Sequence, residues 1–117
     1  MIPMPDVLVP WQRVRVSGPS MVPALRDGDT VLVRHGARVR PGDVVLATYR
    51  DLPGRFVIKR AVRPEADGWW LASDNAAAGG GSDVHGPGVV LGRVTTRWPA
   101  RSWRPRRVLR VVPPLPG

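Results

Sequence analysis

The apolar and polar positions along this chain alternate in short stretches. Residues 13–17 (Arg-Val-Arg-Val-Ser) have a period of two, which predicts a half-buried strand. A Gly/Pro-rich turn follows at 18–23, and the Asp27-Gly28-Asp29 turn leads into a second strand over 30–34. Arg40-Pro41-Gly42-Asp43 launches a strand from Val44 to Tyr49. Asp51 to Gly54 turns the chain into a fourth strand, Arg55 to Val62. The pleat of that strand puts Phe56, Ile58 and Arg60 on one face and Val57, Lys59 and Ala61 on the other. Asp67-Gly68 opens a fifth strand, Trp69 to Ser73. Residues 76–88 are Gly-rich and predict a flexible loop, and Val89 to Trp98 completes the set. Six strands without a useful stretch of helical period predict an all-β, or mainly β, domain.

The length of 117 residues supports one domain. We divide the chain into an N-terminal arm (1–12), a folded domain (13–98) and a basic, Pro-rich tail (99–117) around a short Val108–Val112 strand. The 14 Pro and 13 Gly suit short strands and turns. There is no Cys, which excludes disulfides, Cys-ligated metal and thiol catalysis. No apolar run approaches the ~20 residues of a membrane span. The first ten residues lack a basic start and are broken by Pro3, Pro5 and Pro10, unlike a secretory signal. The expectation is a cytoplasmic protein without a transmembrane anchor.

The net charge of +9 raises the prospect of a nucleic-acid partner. The make-up of that charge says more: 17 residues are Arg and one, Lys59, is Lys. Arginine stays protonated in proteins, whereas a buried lysine can give up its proton and act as a base. Ser20 sits in the stiff turn flanked by Gly18, Pro19 and Pro23, where a hydroxyl is presented on a constrained backbone. It needs a base to become a nucleophile. His35, His85, several Asp and Lys59 are candidates. Both His fall in Gly-containing loops, while Lys59 shares a strand face with Val57 and Ala61, a setting that disfavours its charged form.

Residues 16–25 (Val-Ser-Gly-Pro-Ser-Met-Val-Pro-Ala-Leu) resemble the nucleophile box of signal peptidase I. Gly28 to Val33 resembles its second box, and Val57-Ile58-Lys59-Arg60-Ala61-Val62 the box that ends in the catalytic Lys-Arg. Ser73-Asp74-Asn75, with Gly86 closing the loop, is similar to the last. Four boxes in order over residues 14–98 imply the compact signal peptidase and LexA C-terminal β fold, and a serine endopeptidase with a Ser20–Lys59 dyad. The resemblance implies that the backbone N–H of Ser20 forms the oxyanion hole. Gly18 stands where some members carry a second, hydroxyl donor, and Ser17 is a candidate replacement. The hydroxyl that orients the Lys in that family falls at Gly79, so Ser73 or Ser82 is expected to take over its work. Arg60 and Asp74 are expected to pair in support, Asn75 belongs to the same box, and Met21 is expected to line the substrate groove.

The short approach to Ser20 and the compact domain resemble the nickel-type superoxide dismutase maturation proteases. That likeness implies removal of an N-terminal propeptide from a protein precursor, with no metal and no cofactor in the protease and no nucleic-acid partner. Two alternatives stand beside it. One is a LexA- or UmuD-type self-cleaving peptidase. The other is a non-catalytic basic β domain that binds nucleic acid through Arg-Pro-Arg-Arg (104–107) beside Trp98 and Trp103.

Overall fold

Short β-branched runs bounded by Gly and Pro turns produce six strands: β1 (Trp11–Arg15), β2 (Thr30–His35), β3 (Val44–Tyr49), β4 (Phe56–Glu65), β5 (Gly68–Ala72) and β6 (Gly88–Trp98). The computed structural model describes residues 10–98. All pairings are antiparallel, in the order β1-β2-β6-β3-β4-β5, and β5 returns to β6 through Trp69 and Gly88. The sheet therefore curls, with β6, β3, β4 and β5 closing on themselves and β2 and β1 extending as a wing. At the closure a Cβ on Gly68 would stand 2.2 Å from the Gly88 carbonyl oxygen, and its φ of +145° also favours glycine. Closure needs a residue without a side chain at that crossing.

Two strands bury both of their faces. Leu46 and Ile58 join Val14, Val16, Met21, Leu25, Val31 and Val33 in one apolar cluster. Val45, Ala47, Tyr49, Val57, Ala61 and Leu71 form a second cluster on the opposite face. Lys59 is set across from Val45 in the β3–β4 ladder, and strand alternation puts it on the face of Val57 and Ala61. The amine thus belongs to the side of the sheet enclosed by the curl.

The mainly β architecture agrees with the sequence reading, but three details differ. β1 starts at Trp11, inside the span assigned to an arm, because Trp11 and Gln12 pair with Arg34 and Val33 and Gln12 bonds the His35 side chain. β4 runs on to Glu65, with an irregularity between Ala61 and Arg63 that admits Pro64 at its exposed end. The Gly-rich segment is not simply open loop. It contains a 3₁₀ turn at Ala76–Ala78 and one helical turn, α1, at Ser82–His85. Buried Ser82 fixes it by accepting the Leu71 N–H at 2.7 Å. Residues 1–9 and the tail at 99–117, with its Val108–Val112 strand and Arg-Pro-Arg-Arg motif, lie outside the described residues.

Candidate active site

The turn between β1 and β2 is shaped by local bonds. Gly18 adopts a φ of +89°, and its N–H donates to Asp27 Oδ1 at 2.9 Å. Leu25 N–H donates to the Met21 carbonyl at 2.8 Å, and both side chains are sunk into the first apolar cluster. These anchors hold the backbone on either side of Ser20, which is only 7% exposed. Met21 is 1% exposed and packs in the core. It fills an irregular interior gap, as its unbranched side chain suits, and offers no wall to an open groove.

Lys59 is 5% exposed, and its Nζ donates to Ser73 Oγ at 2.8 Å. Burial pushes the Lys59 amine below its ordinary pKa, because a charged ammonium loses its hydration there. The negative charge of Asp83 partly opposes that shift.

Three consecutive residues after β5 connect the parts. Ser73 accepts from Lys59. Asp74 takes a two-pronged grip from Arg60, with Nε at 3.1 Å from Oδ1 and Nη2 at 2.5 Å from Oδ2. Arg60 also donates through Nη1 to the Gly42 carbonyl at 2.9 Å. Asn75 donates its backbone N–H to the Ser20 carbonyl at 2.8 Å and its Nδ2 to the Pro19 carbonyl at 3.2 Å. One short bracket therefore ties both the Lys59 amine and the Ser20 backbone. Two residues of extended chain span at most about 7 Å, which limits the separation of those two anchor points along the bracket.

Of the two candidate hydroxyls, Ser73 meets Lys59, while Ser82 serves the backbone of β5. The difference follows from position: Ser73 directly follows the strand beside β4, and Ser82 begins the helical turn that lies on β5. The two His side chains have other work. His35 pairs with Gln12, and His85 Nδ1 lies 3.0 Å from Asp51 Oδ2. Sequence reasoning missed the Asn75 bonds to the nucleophile turn and the influence of Asp83 on Lys59. Its Asp74-Asn75 box was visible, but pairing across 55 residues, from Asn75 to Ser20, has no local signature. No group of three or more potential metal ligands occurs among the described residues.

Comparison with known proteins converges on the same region. Residues 11–82 match the Peptidase S24-like family, a span that includes Ser20, Lys59 and the Ser73–Asn75 bracket. The chain is also 29% identical to mitochondrial inner membrane protease subunit 1 of Xenopus tropicalis, in an alignment that covers 76% of this chain and 70% of that protein.

Proposed function

The chain belongs to the Peptidase S24-like family and is a serine peptidase of the signal peptidase-like kind, and from that premise we propose that it cleaves peptide bonds with a Ser20–Lys59 dyad. The observation that carries this reading is the buried Lys59 amine, held by Ser73 on the bracket that also binds the Ser20 backbone. Neutral Lys59 takes the proton of the Ser20 hydroxyl as Oγ attacks the scissile carbonyl carbon. The tetrahedral oxyanion is stabilised by the backbone N–H of Ser20, and loss of one such donor costs about 10²–10³ in rate. Collapse of the intermediate expels the amine, which leaves with the proton from Lys59, and an ester joins the acyl part to Ser20. Lys59 then removes a proton from water as it attacks that ester, the Oγ–carbon bond breaks as Lys59 returns the proton to Ser20 Oγ, and the acid product departs.

Ser73 is a positioning residue in this scheme. Its hydroxyl accepts from Nζ and leaves the amine lone pair to be directed toward the nucleophile. Arg60 and Asp74 fix the bracket beside β4, and the two hydrogen bonds that Arg60 donates to the Asp74 carboxylate define its orientation.

The substrate we propose is a protein precursor that loses an N-terminal propeptide, with the apo-form of nickel-type superoxide dismutase as the first choice and the cytoplasm as the setting. Among the described residues no helix is long and apolar enough to cross a membrane. Co-expression with such a precursor, read by intact mass, tests the proposal. Wild type is expected to shorten the precursor, and Ser20→Ala and Lys59→Arg to leave it whole. Lys59→Arg keeps the charge and removes the ability to lose it, so retained cleavage in that variant would overturn the dyad. A shortened protease in place of a shortened precursor would identify self-cleavage instead.

A further inference from the structure

The wing of the sheet carries a surface that the dyad does not explain. Val14, Val31 and Val33 point into the first cluster and are fully buried. Strand alternation therefore turns Trp11, Arg13 and Arg15 of β1, and Leu32 and Arg34 of β2, to the other face. The register sets Trp11 opposite Arg34 and Arg34 opposite Arg93, so these three form a row across β1, β2 and β6. Arg13 and Leu32 form the next row, and Arg15 stands at the far end. Three strands of this length make a platform of about 10 by 13 Å. None of the three strands contains Asp or Glu, although the chain has nine acidic residues. Asp27 and Asp29 bond within the turn before β2, and buried Asp29 also lies 3.9 Å from Arg97 of β6.

We propose that this arginine face is a docking site for an acidic surface of the peptidase's protein substrate, an inference that rests on the peptidase reading above. The exposed guanidinium forks of Arg15 and Arg34 suit carboxylates, which they can bind through paired hydrogen bonds, and Arg93, which gives Nη1 to the Arg38 carbonyl at 3.4 Å, adds its charge beside them. The row continues across the sheet from Arg34 and Arg93 through Val45 to Lys59, so the face is continuous with the one that carries the amine of the dyad. A net charge of +9 adds long-range attraction for a negative partner.

Two other anionic partners fit less well. The Arg34 guanidinium carbon already lies 5.0 Å from the centre of the Trp11 ring, and that stack occupies the aromatic surface a nucleic-acid base would use. Trp11, 41% exposed, is the one large apolar side chain on this face with substantial exposure. A bilayer interface would call for a wider apolar face to insert. Carboxylates need neither.

The test uses the full chain and three probes at about 0.15 M salt, where long-range surface electrostatics are screened to ~8 Å. Poly-L-glutamate stands for an acidic polypeptide, oligodeoxythymidine for nucleic acid and phosphatidylglycerol vesicles for a membrane. Arg15→Glu/Arg34→Glu is compared with Arg50→Glu/Arg55→Glu, which changes the net charge equally away from the face. The face variant is expected to weaken poly-L-glutamate binding about tenfold, because rim charges supply a few-fold each, and the control less than about twofold. Equal losses in both variants would overturn the proposal, as would tighter face-dependent binding of the oligonucleotide or vesicles. Ser20→Ala is expected to bind poly-L-glutamate as wild type does. Docking can therefore fail while precursor cleavage succeeds, and the reverse, so the two readings are refuted separately.

Discussion

Ser82 and Ser73 are both hydroxyls of one loop, yet their substitution should damage different properties. The Ser82 hydroxyl accepts the Leu71 N–H at 2.7 Å, and the two residues are 2% and 1% exposed. Ser82→Ala would leave that N–H buried without an acceptor, at a cost of about 1–3 kcal/mol. The hole left by the missing oxygen is too small for a water to restore the bond. In addition, a Cβ at Gly81 would lie 2.5 Å from the Leu71 carbonyl oxygen, so the loop backbone already rests directly on β5. For a domain of this size each kcal/mol moves the melting temperature by about 4–8 °C, so the fall should be about 4–24 °C. Ser73→Ala removes a half-buried partner of Lys59 and should cost less stability. It should instead lower the Lys59 titration further, since a hydrogen-bond acceptor favours the charged amine. Thermal unfolding by circular dichroism and a carbon-13 titration of the lysine side chain read the two effects. A Ser82→Ala melting temperature within about 1 °C of wild type would refute the assignment of Ser82 to the fold. So would a larger change in the lysine titration for Ser82→Ala than for Ser73→Ala.

Other perturbations follow from the same contacts. The folded Lys59 pKa lies below its ordinary 10.5, so between those two values the unfolded chain binds more protons and stability rises with pH. That contribution is complete above the ordinary value and lost as pH falls through the folded one. Lys59→Met should therefore flatten the rise and be more stable than wild type at neutral pH, as checked by urea unfolding across the window. A steeper rise in the variant than in wild type would contradict the burial argument. Asp83→Asn should move the lysine titration down, because it removes the charge that opposes the shift while its remaining oxygen can still accept the Gly81 N–H. The downward move should shrink in high salt. Leu46→Ala, which truncates a 1%-exposed side chain in the first cluster, should cost about 2–5 kcal/mol without moving the lysine titration.

Much of the fold was legible because its strands are short and separated by glycine and proline. Val44 to Tyr49 begins and ends where its turns say it should. The alternation in β4 identified the face that Lys59 shares with Val57 and Ala61. Sheet order was not legible: β6 inserts between β2 and β3, a long-range choice that no local pattern records. The order in the loop after β5 was not legible because its glycines dominate the composition, whereas the buried bond that Ser82 accepts from Leu71 and the Asn75 bonds to the Ser20 turn hold it. A Met in the Ser20 turn fits a substrate groove and an interior gap equally well by sequence. The turn sends neighbouring side chains in different directions, and Met21 goes to the core. At the site, one Lys among 18 basic residues marked the amine. The division of labour between Ser73 and Ser82 depended on which of them reaches β4.

The Ser20–Lys59 dyad needs an amine that is uncharged in the range where the peptidase works. Because Lys59 is the sole lysine of the chain, isotope-labelled lysine yields one side-chain signal that needs no assignment. Its titration in the folded protein is expected to have a midpoint below the ordinary 10.5, and to return to that value in denaturant. A folded midpoint at or above 10.5 would mean that Lys59 stays protonated and cannot take the Ser20 proton.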